Sequence, residues 1–127
     1  MTDRRILVVE DDFLISELIK ITLASPHYVM TFVDNGKDAV NHLSEKVPDL
    51  VLLDIMIPPP DGWEIYKAIR SNSAFDCTRV IVLTALSCSP EFLIAKNLLS
   101  TDLFMRKPFE LDDLVTNVTW MLAGRRP

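Results

Sequence analysis

Apolar positions along the chain gather into short, nearly unbroken runs: "ILVV" at 6–9, "YVMTFV" at 28–33, "LVLL" at 50–53, "VIVL" at 80–83 and "LFM" at 103–105. Runs of this length with little alternation predict strands covered on both faces. Between them the apolar spacing turns helical. Residues 13–24 place Leu14, Ile15, Leu18, Ile19 and Ile21 on one side with Glu17 and Lys20 opposite, 37–45 follows the turn "DNG", and 62–71 brings Ile65, Ala68 and Ile69 together. A fourth helix is expected to open at Ser89 as N-cap, with Pro90 at the first helical position. The fifth, over 110–123, carries Glu110, Asp112 and Asp113 in its first turn and Arg125 and Arg126 past its end, which suits the helix dipole.

Strand and helix alternate five times with short connections. That alternation predicts an α/β fold, a doubly wound parallel sheet of five strands with five helices on its two faces. Ligands of such sheets bind beyond the carboxyl ends of the strands, at the switch point in strand order. The residues that follow each apolar run therefore carry the chemistry. They are Glu10, Asp11 and Asp12 after the first, Asp54 after the third, Thr84 and Ala85 after the fourth, and Lys107 and Pro108 after the fifth.

Composition narrows the classes. At 127 residues with 49% apolar content, the chain is expected to form one domain with a full core. A net charge of -5 argues against direct nucleic-acid binding, which calls for clustered Lys and Arg. "ILVV" is too short for a signal peptide or a membrane span, so no membrane association is expected. Cys77 and Cys88 lack any CxxC or His context, and free thiols in a reducing cytoplasm are expected. His27 and His42 have no second ligand at metal spacing, and read as ordinary surface or packing residues.

Singly, an acid at a strand end caps a turn, a Thr there is a turn residue and a Lys is a solvated charge. Jointly they say more. Carboxylates gathered at one point repel one another unless a cation is present, and the hard oxygen set invites Mg²⁺, or Mn²⁺ in its place. With a lysine and a hydroxyl added, the set suits phosphoryl transfer. Asp54 would be the nucleophile, Lys107 and the metal would offset charge, and the Thr84 hydroxyl would donate to a phosphoryl oxygen.

At this point the residues resemble a family, the receiver domain of two-component response regulators. "ILVVEDD" looks like its first strand and acidic pair, Glu10 and Asp11; "LLDIMIPPPDGWE" looks like its phosphoacceptor strand and loop, with Asp54, Pro58 and Asp61-Gly62; "VIVLTA" carries Thr84 and "FMRKPF" carries Lys107 and Pro108. The resemblance covers nearly the whole chain, so residues 1–127 are expected to be a single receiver, stand-alone or excised from a longer protein. It implies a flavodoxin-like strand order 2-1-3-4-5. It also implies that Asp54 takes a phosphoryl group from a partner's phosphohistidine, on a histidine kinase or histidine phosphotransferase. Asp11, Asp54 and the Met56 backbone carbonyl would bind the metal directly, and Glu10 mostly through water. A cis bond between Lys107 and Pro108 is implied as well. Phe104 falls at the family's aromatic switch position, moving inward as Thr84 shifts toward the phosphoryl group. The output would be a population shift of the fourth helix, fifth strand and fifth helix, read by an effector, with no enzymatic activity beyond self-phosphotransfer and self-dephosphorylation.

Departures from the family pattern are Ser100-Thr101 in place of its small "GA", the additional Pro59 and Pro60, which stiffen the loop, and apolar residues at Met56 and Leu86. The last two predict slow self-dephosphorylation. Trp120 falls outside the apolar arc of the fifth helix, formed by Leu111, Leu114, Val115, Val118, Met121 and Leu122, and Leu93 lies opposite the arc of the fourth. They are either ordinary exposed apolar residues or a face for an effector or a homodimer. Two other readings compete: a degenerate receiver that binds partners without phosphorylation, and a small aspartate-nucleophile phosphatase. The phosphatase would place a second acid two residues after Asp54, where Met56 stands.

Overall fold

The computed structural model describes residues 3–85 and 102–124. Within them five strands, β1 (Arg4–Val9), β2 (Tyr28–Val33), β3 (Leu50–Asp54), β4 (Arg79–Thr84) and β5 (Asp102–Arg106), form a single parallel sheet ordered β2-β1-β3-β4-β5. Order and direction agree with the expected flavodoxin-like topology. The described helices are α1 (Phe13–Leu23), α2 (Gly36–Glu45), α3 (Gly62–Arg70) and α4 (Leu111–Leu122), with one 3-10 turn at Ser73–Phe75. The helix expected from Ser89, together with Leu86, Cys88, Leu93 and Ser100-Thr101, lies outside the described residues, as do Arg125 and Arg126.

Pleating divides the central strands between two cores. Leu7, Val9, Val51, Leu53, Val80 and Val82 face α2 and α3, where they meet Ile65, Ile69 and Phe75. Ile6, Val8, Leu50, Leu52, Ile81 and Leu83 face the other way, onto Ile19 and Leu23 of α1 and Leu114, Val118 and Met121 of α4. Every residue of β3 is buried, as a central strand with both faces covered requires.

Three helices start just past the edge where the strands end, each held by a side-chain cap. Asp12 accepts from the Leu14 and Ile15 amides at 2.9 and 3.2 Å, Asn35 from the Asp38 amide at 2.8 Å, and Asp61 from the Glu64 amide at 2.9 Å. Each cap satisfies donors that the first helical turn leaves without a partner. Glu110 precedes α4 as its N-cap residue without a side-chain cap bond, leaving Asp112 and Asp113 as the acids of the first turn.

Two helical faces differ from expectation. On α1 the side turned to the core is Ile15, Ile19 and Leu23, whereas Leu14, Leu18 and Ile21 are exposed, along with Phe13. On α4, Leu114, Val118, Met121 and Leu122 are buried, but Leu111 and Val115 are exposed. Both helices carry more apolar residues than their contact with the sheet can cover. Trp120 is exposed, as its position off the arc predicts.

Candidate functional site

The parallel register aligns the strand ends. Val9 pairs with Leu53, Asp54 with Leu83 and Thr84 with Arg106, so Glu10, Asp54, Thr84 and Lys107 all lie at one edge of the sheet. Glu10, Asp54 and Thr84 are buried, Lys107 is partly buried and Asp11 is exposed. These are the residues that the sequence singled out, and the strand ends bring them together.

The lysine closes the cluster. Its ammonium lies 3.1 Å from Asp54 Oδ2 and also donates to Glu10 Oε1. Its backbone amide donates to the Thr84 carbonyl at 2.7 Å, which carries the β4–β5 pairing one step beyond the strand and sets where the side chain begins. The Lys107–Pro108 bond is cis, as implied by the resemblance, and Pro59–Pro60 is cis as well. Glu10 Oε2 also accepts from the Asp12 amide at 3.2 Å. Asp54 Oδ1 accepts from the Met56 amide at 2.9 Å, which orients the carboxylate and leaves Oδ2 toward the lysine.

Glu10, Asp11 and Asp54 each offer a carboxylate oxygen, all within 4.8 Å of one another. Three hard oxygen donors and a single ammonium suit a divalent cation such as Mg²⁺, which takes one or two carboxylates and fills its other positions with water or phosphate oxygens. They line an open cleft of about 410 Å³ with Asp12, Ile15, Met56, Ala85 and Pro108. That is room enough for a phosphoryl group with its donor.

Without a cation the charges strain the cluster. Burial, first, and the hydrogen bond and charge of Asp54 push the Glu10 carboxyl up to about 7, against the opposing pull of Lys107. Burial would lower the Lys107 ammonium, but its bond to Glu10 and the charge of Asp54 outweigh that and raise it. Because the folded form of Glu10 holds its proton more tightly than the unfolded value of 4.5, its contribution to stability is complete below that pH and is lost as pH rises through about 7. In metal-free protein, Glu10→Gln should therefore gain stability relative to wild type as pH rises from about 5 to about 8. Saturating Mg²⁺ should narrow the gap. Thermal unfolding of both proteins in chelator and in Mg²⁺ checks this, and a gap that does not change with pH would contradict it.

Other residues fall elsewhere. Phe104 is partly buried, packed against the core on the α2 and α3 face of the sheet. Met56 exposes its side chain to the cleft while its amide serves Asp54. Leu93 and Leu86 are outside the described residues, and Trp120 lies on α4. The outer face of α1 was not anticipated: Leu14, Leu18 and Ile21 recur at helical spacing beside Phe13, and Leu18 joins Ile15, Pro108, Phe109 and Leu111 in a groove next to Lys107. Too many apolar residues for one buried side was the available signal.

Residues 6–119 match the family model described as response regulator receiver domain. The chain is 36% identical over 115 residues to the transcriptional regulatory protein CrdR of Helicobacter pylori, an alignment covering 91% of this chain and 53% of that protein. It thus spans about half the length of the curated relatives it matches. Among solved structures, the receiver domain of a signal transduction histidine kinase from Syntrophus aciditrophicus superposes with a TM-score of 0.84 at 31% identity, over 95% of this chain and 91% of that one. The receiver domain of sensor histidine kinase PA1611 from Pseudomonas aeruginosa has a magnesium ion coordinated in its active-site cleft. It gives a TM-score of 0.82 at 25% identity, over 96% of this chain and 99% of that one.

Proposed function

Because the chain belongs to the response regulator receiver domain family, we propose that Asp54 is the phosphoacceptor of a two-component signalling protein. The observation that carries the proposal is the single ammonium of Lys107 shared between the Asp54 and Glu10 carboxylates, with Asp11 alongside, at the ends of separate strands. The donor is a phosphohistidine on a kinase or phosphotransferase. An Asp54 carboxylate oxygen forms the new P–O bond as the P–N bond breaks, and the bonding pair returns to the imidazole nitrogen. Asp11, Asp54 and the Met56 carbonyl, with Glu10 mostly through water, would hold Mg²⁺. When bound, the ion supplies positive charge against the phosphoryl oxygens.

The chain's own groups set the rest. The Met56 amide fixes one Asp54 oxygen, leaving the other to react. Lys107 neutralises charge that would otherwise repel an anionic donor, and the Thr84 hydroxyl donates to a phosphoryl oxygen. Movement of Thr84 toward that oxygen vacates space for Phe104, which shifts the population of the surface around β5 and α4, read by an effector. The phosphatase reading finds no support at Met56, whose side chain has no acid–base group. No described helix is long and apolar enough to cross a membrane.

Phosphoramidate, a small P–N donor, tests the chemistry directly. After incubation with Mg²⁺, borohydride reduction should convert residue 54 to homoserine, identified in the peptide by mass. Reduction at Asp11 instead, or at no aspartate, would overturn the assignment.

The outer face of α1 adjoins the cleft, and we assign it to the phosphodonor protein. Leu14 is 72% exposed, so Leu14→Arg should change stability by no more than about 0.5 kcal/mol. It should slow transfer from the phosphorylated partner by about 10-fold or more while leaving phosphorylation by acetyl phosphate at the wild-type rate. Equal slowing with both donors would remove the surface from the account.

A further inference from the structure

The start of α2 lies directly against the loop that follows Asp54. Gly36 is buried, and a Cβ placed on it would fall 1.9 Å from the Pro60 carbonyl oxygen and 2.9 Å from Pro60 Cγ. Glycine is required here by the closeness of another backbone. The support is itself well held, because the neighbouring Asn35 accepts from the Asp38 amide at 2.8 Å while its Nδ2 donates to Asp34 at 2.7 Å and to Asp38 at 2.9 Å.

The loop has a fixed point at each end. At one, the Met56 amide donates to Asp54 Oδ1 at 2.9 Å. At the other, the Gly62 amide donates to the Ile55 carbonyl at 3.1 Å, and a Cβ on Gly62 would lie 2.1 Å from the Asp54 carbonyl oxygen. Between them Ile57 is buried, whereas Pro58 and Pro59 are exposed. Pro60 against Gly36 thus supports the span near its Gly62 end.

We propose that Gly36 is a positioning residue: it lets the start of α2 seat the 56–60 loop, and so holds the Met56 amide and carbonyl where Asp54 and a divalent cation use them. The inference rests on the reading of Asp54 as acceptor for its functional meaning, though its structural consequence can be read without phosphorylation. A Cβ at residue 36 forces Pro60 outward, and the displacement is passed along a short proline-rich span to Met56. An element that touches neither metal nor phosphate would then govern both.

The test compares wild type, Gly36→Ala, Pro60→Gly and Lys37→Ala, all well below their unfolding temperatures. Hydrogen exchange of the Met56 amide is read in metal-free protein, Mg²⁺ affinity by calorimetry, and phosphorylation with acetyl phosphate. Gly36→Ala should speed Met56 exchange and weaken Mg²⁺ binding by about 10-fold each, with β3 core amides such as Leu52 unchanged. The exposed Lys37→Ala should match wild type. Should Gly36→Ala fail to fold, Pro60→Gly, which loosens the same contact without adding atoms, carries the same expectation. Wild-type exchange at Met56 and wild-type Mg²⁺ affinity in the folded variant would overturn the proposal, as would faster exchange spread evenly over the sheet. If the Met56 and Mg²⁺ effects appear but wild type takes no phosphoryl group, the positioning role stands and the acceptor reading falls; phosphorylated wild type with unaffected variants gives the reverse.

Discussion

Lys107→Ala is expected to slow phosphorylation of Asp54 by acetyl phosphate about 10²- to 10³-fold at saturating Mg²⁺. The ammonium is 3.1 Å from Asp54 Oδ2 and donates to Glu10 as well, so its loss leaves Glu10, Asp11 and Asp54 together with no protein cation bonded to them among the described residues. An anionic donor then meets a more negative cleft, and charge developing on the transferred group loses a fixed donor. The protein should still fold, because Lys107 sits past the end of β5 and its backbone bond to Thr84 does not depend on the side chain. Single-turnover rates measured by intact mass check the effect. A rate within about threefold of wild type would mean that the lysine serves only to neutralise the resting cluster.

The largest loss of stability is expected from Arg70→Met, about 3–5 kcal/mol. Asp102 is fully buried and accepts from Arg70 Nε at 2.8 Å, Arg70 Nη2 at 2.5 Å, the Tyr66 hydroxyl at 2.7 Å and the Val80 amide at 3.1 Å. Arg70 donates in addition to the Phe75 carbonyl at 3.1 Å and the Thr78 carbonyl at 2.5 Å. Without the arginine, a buried carboxylate loses the guanidinium that pairs with it, and breaking such a pair costs far more than the pair contributes. Adding Asp102→Asn to Arg70→Met should recover part of the loss. Urea unfolding with an unchanged m-value measures both, and a loss below about 1 kcal/mol for Arg70→Met would contradict the account. Since Asp102 begins β5, Val80 is the second residue of β4 and the acceptor cleft lies at the other end of both strands, the folded variant should take a phosphoryl group at the wild-type rate.

The sheet was legible because burial on both faces writes itself as apolar runs. The five runs lie inside the observed strands, which extend by at most two residues beyond them, and Asp54 and Thr84 turn out to be the last residues of β3 and β4. The site was legible for the same reason: in a parallel sheet, whatever follows each run arrives at one edge. Helical faces were read less well. Periodicity tells which residues share a side of α1, but the neighbours decide that Ile15 and Ile19 pack inward while Leu14, Leu18 and Ile21 do not. The Arg70–Asp102 pair joins residues 32 apart with no local pattern. Gly36 against Pro60 is an approach of two backbones, and "DNG" reads only as a turn.

The most direct test of the central claim is intact mass after incubation with acetyl phosphate, with and without Mg²⁺, on wild type and Asp54→Asn. A single phosphoryl adduct on wild type that requires Mg²⁺ and is absent from the variant is the predicted result. An adduct that persists in Asp54→Asn would contradict the claim, and so would no adduct under conditions that phosphorylate a control receiver.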